Sequence, residues 1–135
     1  MANALYDYGR DQFLQGNIDW VNDTIKVILI DTDDYTVNLT TDQNLDDIAA
    51  GARVATATLA NPTASGAGVA DGDDVTFSAV SGDQSEALVI YKDSGVESTS
   101  PLIAYIDTAT GLPVTPSGSD ISVAWDSGAN KIFKL

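Results

Sequence analysis

The chain has 135 residues, 44% of them hydrophobic, with 20 acidic against six basic side chains and a formal charge of −14. That length suits one domain, 1–135, able to bury about two-thirds of its unfolded surface without metals or disulfides. The charge leaves no basic track for a nucleic-acid backbone and disfavours an anionic membrane, so neither is an expected partner. With no Cys and no His, thiol nucleophiles, Ser-His-Asp and Cys-His catalysis and the usual transition-metal ligands are removed.

Residues 1–17 read as a helical segment and 18–135 as a β domain. A short helix is expected over 3–15, with Asn3 as N-cap, Leu5, Tyr8 and Phe13 near one face, and Gly16-Asn17 as the stop. Gly9 weakens it. A helix of three to four turns is marginal alone, so its apolar stripe should dock. Leu5, Tyr8 and Phe13 are therefore candidates for a subunit interface, although the same stripe would equally serve to close the chain's own sheet. The first ten residues lack a basic start followed by an apolar run, and no apolar run approaches the roughly 18 residues of a membrane span. The expectation is a protein made in the cytoplasm without an export signal.

Ile18 and Trp20 should open the β region. Thr24–Asp31 is a strand with Ile25, Val27 and Leu29 on one face and Ile28 and Ile30 on the other. From Thr32 to Ala52 a long surface excursion is expected, extended at Tyr35–Leu39, with a helical turn at 41–48 capped by Thr41. Arg53–Leu59 is a modest strand broken by Asn61-Pro62. In Asp74–Val80, Val75, Phe77 and Ala79 should face the core.

The organising element is a hairpin spanning 86–107. Leu88 and Ile90 oppose Ala87, Val89 and Tyr91, while Leu102, Ala104 and Ile106 oppose Ile103 and Tyr105. Strands apolar on both faces need cover on both sides. Residues 107–120 are turn-rich. Ile121, Val123 and Trp125 alternate as a strand, 126–130 is a turn, and 131–135 is a last strand. The fold class expected is mainly β: an antiparallel β-sandwich or small barrel with one short N-terminal helix.

Two acid clusters, Asp31-Thr-Asp-Asp34 and Asp71-Gly-Asp-Asp74, carry oxygens of the kind calcium takes, but neither has EF-hand spacing. The second reads better as a solvated turn, and Gly66-Ala-Gly68 lacks the lysine and helix of a phosphate loop. Among 20 acids a close carboxylate pair is expected by chance, so glycoside hydrolysis is a weak reading. Trp20, Trp125, Tyr91 and Tyr105 suit a sugar-stacking face less well than a core, because they sit in alternating strands. No catalytic residue, cofactor or metal is expected.

Several segments carry a resemblance: Asp19-Trp20, Ile25-Lys-Val27, Gly51-Ala-Arg-Val-Ala55, Ala70-Asp71 with Asp74-Val-Thr-Phe77, Glu86–Asp93, Leu102–Val114, and Trp125-Asp126 with 128–133. Over nearly its whole length the chain resembles a family of small proteins encoded among the virion genes of tailed bacteriophages and prophages. The resemblance implies a non-enzymatic virion component and leaves head or tail open. The leading expectation is an acidic capsid decoration (cement) protein at the virion surface, binding major capsid protein as a homo-oligomer, dimer or trimer. The competing readings are a tail or fibre component, a carbohydrate- or calcium-dependent adhesion module, and a carboxylate hydrolase.

Overall fold

The structure is a computed structural model describing residues 3–125, 128 and 131–135. In chain order its elements are β1 (Ala4–Leu5), α1 (Asp7–Leu14), β2 (Ile25–Ile30), β3 (Arg53–Thr58), β4 (Thr63–Ala64), β5 (Val69–Asp71), β6 (Val75–Phe77), β7 (Ala87–Lys92), β8 (Leu102–Ile106), β9 (Ile121–Val123) and β10 (Phe133–Lys134). A five-stranded sheet runs β1-β8-β7-β2-β3, accompanied by a three-stranded β10-β5-β4 sheet and a β6-β9 pair. All pairings are antiparallel. The expected mainly β, sandwich-like fold with one short N-terminal helix is therefore what forms.

The two-sided apolar pattern of β2 and β7 sets the layering. Ile25, Val27 and Leu29 join Leu88 and Ile90 in one core, against Val75, Phe77, Ile121 and Val123 of the β6-β9 pair. Ile28 and Ile30 join Ala87, Val89 and Tyr91 in a second core on the opposite face. That face is covered without another sheet. Tyr35, Leu45, Ile48 and Ala52, from the segment expected to be a surface excursion, pack there with Tyr6.

The cover is pinned by polar contacts. Its helical turn is a 3-10 turn at Leu45–Asp47 closed by a capping box between Asn44 and Asp47, so Thr41 is not the cap. Arg53 donates from Nε to the Ile48 carbonyl (3.0 Å) and from Nη2 to the Leu45 carbonyl (2.8 Å). It also meets Glu97 at 2.9 Å, which holds that carboxyl below its usual range. Tyr6 and Tyr35 share a 2.8 Å hydroxyl contact, and Tyr35 donates to Asp42 at 2.7 Å. Burial pushes both phenols well above the ordinary tyrosine range.

The N-terminus differs from expectation. Ala4 and Leu5 are a strand paired with Tyr105 and Ala104, and the helix begins only at Asp7. Asn3 caps no helix; its Oδ1 accepts the Asp107 and Thr108 amides at 3.0 Å each. Leu5 is only 7% exposed, within its own core. Strand β8 would otherwise present a bare edge, and a short added strand covers it.

Pairing of β7 with β8 slips between Ile90 and Tyr91, so Ile103 is an extra, bulged residue. Ile103 and Ala104 therefore both enter the first core, and Leu102 turns with Tyr105 into the second. The simple alternation expected of β8 does not hold, because one extra residue shifts side chains to the other face. The bulged Ile103 carbonyl accepts the Tyr6 amide at 3.0 Å.

Smaller departures follow the same logic. β6 ends at Phe77, and Ala79 is exposed at φ 48° with its amide on Asp120, leaving Val80 to fill the core. Ile18, Trp20 and Trp125 are buried outside strands, and the last strand shortens to Phe133–Lys134. Of the expected turn at 126–130, only Gly128 is among the described residues.

Gly9 explains how α1 docks. A Cβ there would fall against the Leu102 carbonyl oxygen and 3.1 Å from Ile103 Cα. Gly→Ala inside a helix ordinarily gains about 1 kcal/mol. Here Gly9→Ala should instead cost about 1–3 kcal/mol through overpacking, read as a lower urea midpoint; a raised midpoint would show that α1 does not rest on the bulge.

Candidate functional site

The site is built where α1 ends. Phe13 lies with its ring 6.0 Å from that of Phe133, and Trp20 meets Phe133 edge-on at 5.0 Å. The Trp20 indole N–H donates to the Thr63 and Asp71 carbonyls at 3.0 and 3.2 Å. Its polar end is thereby used, and the ring serves as a fixed wall.

The chain leaves α1 through Gly16, whose φ of +75° suits a residue without Cβ. The following turn is held by Asp19, which accepts the Val21 and Asn22 amides and the Asn22 side-chain amide. The Asn22 contact, foremost, holds the Asp19 carboxyl below the usual range. Lys92 ties the turn down, donating to the Asn17 carbonyl at 2.6 Å and pairing with Asp23 at 3.1 Å.

This bracing holds an apolar side chain outward. Val21 is 48% exposed and borders a groove of about 450 Å³ whose walls include Phe13, Trp20, Val69, Phe133 and Leu135. Leu135 is 57% exposed, and Leu14, next to Phe13 in the chain, is 82% exposed. Single exposed apolar residues need no explanation, whereas clustered ones mark interaction surfaces. Two of the four large hydrophobic residues exposed among the described residues, Val21 and Leu135, border this groove; Leu14 and Val96 are the other two.

The three residues singled out from sequence do not form one surface. Phe13 lines the groove. Leu5 is buried in β1, and Tyr8 is half-buried on α1 without bordering the groove. Leu14, Val21 and Leu135 were missed. For Leu14 the signal was present in a two-residue apolar step at the helix end, whereas Val21 and Leu135 come to one groove only through tertiary structure.

The acid clusters resolve into different roles. Asp71–Asp74 anchors tryptophans: the Asp73 carbonyl accepts the Trp125 indole N–H at 2.8 Å, and the Asp74 carboxylate accepts the Trp125 amide at 3.0 Å. Asp31 and Asp34 converge with Asp83, their carboxylate oxygens within 4.8 Å of one another. Buried Asp31 accepts the Asp33 amide at 2.9 Å, shaping its own turn. Three oxygens are about half of a calcium shell, which takes 6–8. Trp20, Trp125, Tyr91 and Tyr105 are all buried, as expected of core residues.

No family model matches the chain, and the comparison with curated proteins finds no match.

The groove's accessibility can be read with an apolar dye. Val21→Asp with Leu135→Asp should abolish most bis-ANS fluorescence while moving stability by no more than about 0.5 kcal/mol, as exposed sites do. Undiminished dye binding would show that this end is not the accessible apolar patch.

Proposed function

We propose that the chain is a non-enzymatic structural protein of a tailed-phage virion, a capsid decoration or cement protein bridging neighbouring major capsid subunits. The observation that carries this reading is the braced apolar end, with Val21 and Leu135 exposed around the Phe13 groove on an otherwise highly acidic chain. The resemblance to small virion proteins supports the same assignment.

The mechanism is mechanical. Apolar surface removed from water contributes roughly 25 cal/mol per Å², and a contact made across two subunits is lost when they separate. Repetition over a lattice, or joining copies into a dimer or trimer, turns weak single contacts into firm attachment. The charge of −14 adds long-range attraction to basic patches of a capsid and keeps the free protein soluble at high copy number. Bracing by Lys92 and Asp19 limits the ordering cost on docking, since the groove wall is already held.

Quantitative mass spectrometry of purified particles tests the assignment. A lattice decoration is expected at a substantial fraction of the major capsid copy number. A few copies per particle would move the chain to the tail or a fibre, and its absence from particles would overturn the virion reading.

A further inference from the structure

A second concavity, separate from the apolar groove in all but Phe133, lies between two strand edges. Strand β1 ends the five-stranded sheet and β10 ends the three-stranded one. A cleft of about 760 Å³ opens between them over a floor that includes Ala104 and Ile106. We propose that this cleft is a strand-acceptor site for an extended, acidic peptide segment of a protein partner.

The hydrogen-bonding pattern supplies the first argument. Tyr6 N–H bonds the Ile103 carbonyl, in register with Ala4 opposite Tyr105. Antiparallel partners alternate between bonded and non-bonded pairs, so the Leu5 amide and carbonyl point away from β8. Leu135 N–H bonds the Gly68 carbonyl, in register with Phe133 opposite Ala70, so those of Lys134 point away from β5. Both residues line the cleft. Among the described residues, neither has a backbone hydrogen bond on its outward side. Unpaired edges recruit extended peptides by main-chain bonding.

Charge supplies the second argument and names the occupant. Arg10, Lys131 and Lys134 line the cleft, three of the six basic residues in the chain. Among the described residues no acid lines it, although the chain has 20. Arg10 pairs with Asp7 at 3.3 Å, but both side chains are half exposed, so that pair is weak. An edge lysine commonly discourages strand pairing between like copies. On this acidic chain Lys134, with the weakly paired Arg10, makes the cleft the place where an acidic strand is attracted.

The inference goes beyond the virion assignment and does not depend on it. The probe is a fluorescent eight-residue peptide alternating Val with Asp, titrated into the full chain at low salt. Saturable binding is expected, with the Leu5 and Lys134 amide resonances shifting on titration. Arg10→Glu with Lys134→Glu should weaken binding at least about tenfold, with the urea midpoint checked for folding. N-methylating alternate peptide amides should have a comparable effect on the unaltered protein. Absence of binding, equal binding of the N-methylated peptide, resonance shifts confined elsewhere, or equally effective competition by tripolyphosphate would each overturn the proposal, the last by reducing the cleft to a simple anion site.

Discussion

Strands β2 and β7 are apolar on both faces, and the rest of the molecule is arranged to satisfy that constraint. Each exposed face would leave several large aliphatic side chains in water, so the central sheet requires two covers. The chain supplies one as small sheets and the other as an irregular segment, residues 32–52, fastened by Arg53 and by the Tyr6–Tyr35–Asp42 hydrogen bonds. An irregular cover needs its backbone carbonyls satisfied. The guanidinium of Arg53 does this for two of them while remaining neutralised by Glu97.

The same constraint positions the candidate surfaces. Adding β1 to the edge of β8 brings Tyr6 to the bulge at Ile103, and Gly9 lets α1 lie directly on that strand. Helix α1 then delivers Phe13 against Phe133, whose ring also meets Trp20. The apolar groove is thus fixed by the packing of the helix, with little left to loop freedom. The cation-lined cleft arises from the same arrangement, since β1 itself becomes one of its two edges.

How much of this was legible in the sequence depended on the range of the interactions. The faces of β2 and β7 were readable because alternation is local, and both strands pair as their patterns require. The bulge was not readable, since Leu102-Ile-Ala-Tyr-Ile contains no Gly or Pro to mark an extra residue. The 32–52 segment looked polar because Tyr35, Leu45 and Ile48 are spread among acids without helical or strand periodicity. Leu5 was read into a helix because its spacing to Tyr8 suits one, whereas an unpaired edge on β8, a hundred residues later, claims it. The convergence of Asp83 with Asp31 and Asp34 had no sequence signal at all.

Asp19 and Asp31 shape turns, and Asp73 and Asp74 anchor Trp125. Among the described residues, an apolar end and a cleft lined by Arg10, Lys131 and Lys134 stand out on a strongly negative chain. Both suit a protein that acts by holding neighbours together. The most direct test is a reconstruction of the assembled particle at a resolution that traces this chain. The account predicts density for it over junctions between capsid subunits, with Val21 and Leu135 against the lattice. Density with that end facing solvent and no neighbour at either surface would contradict it.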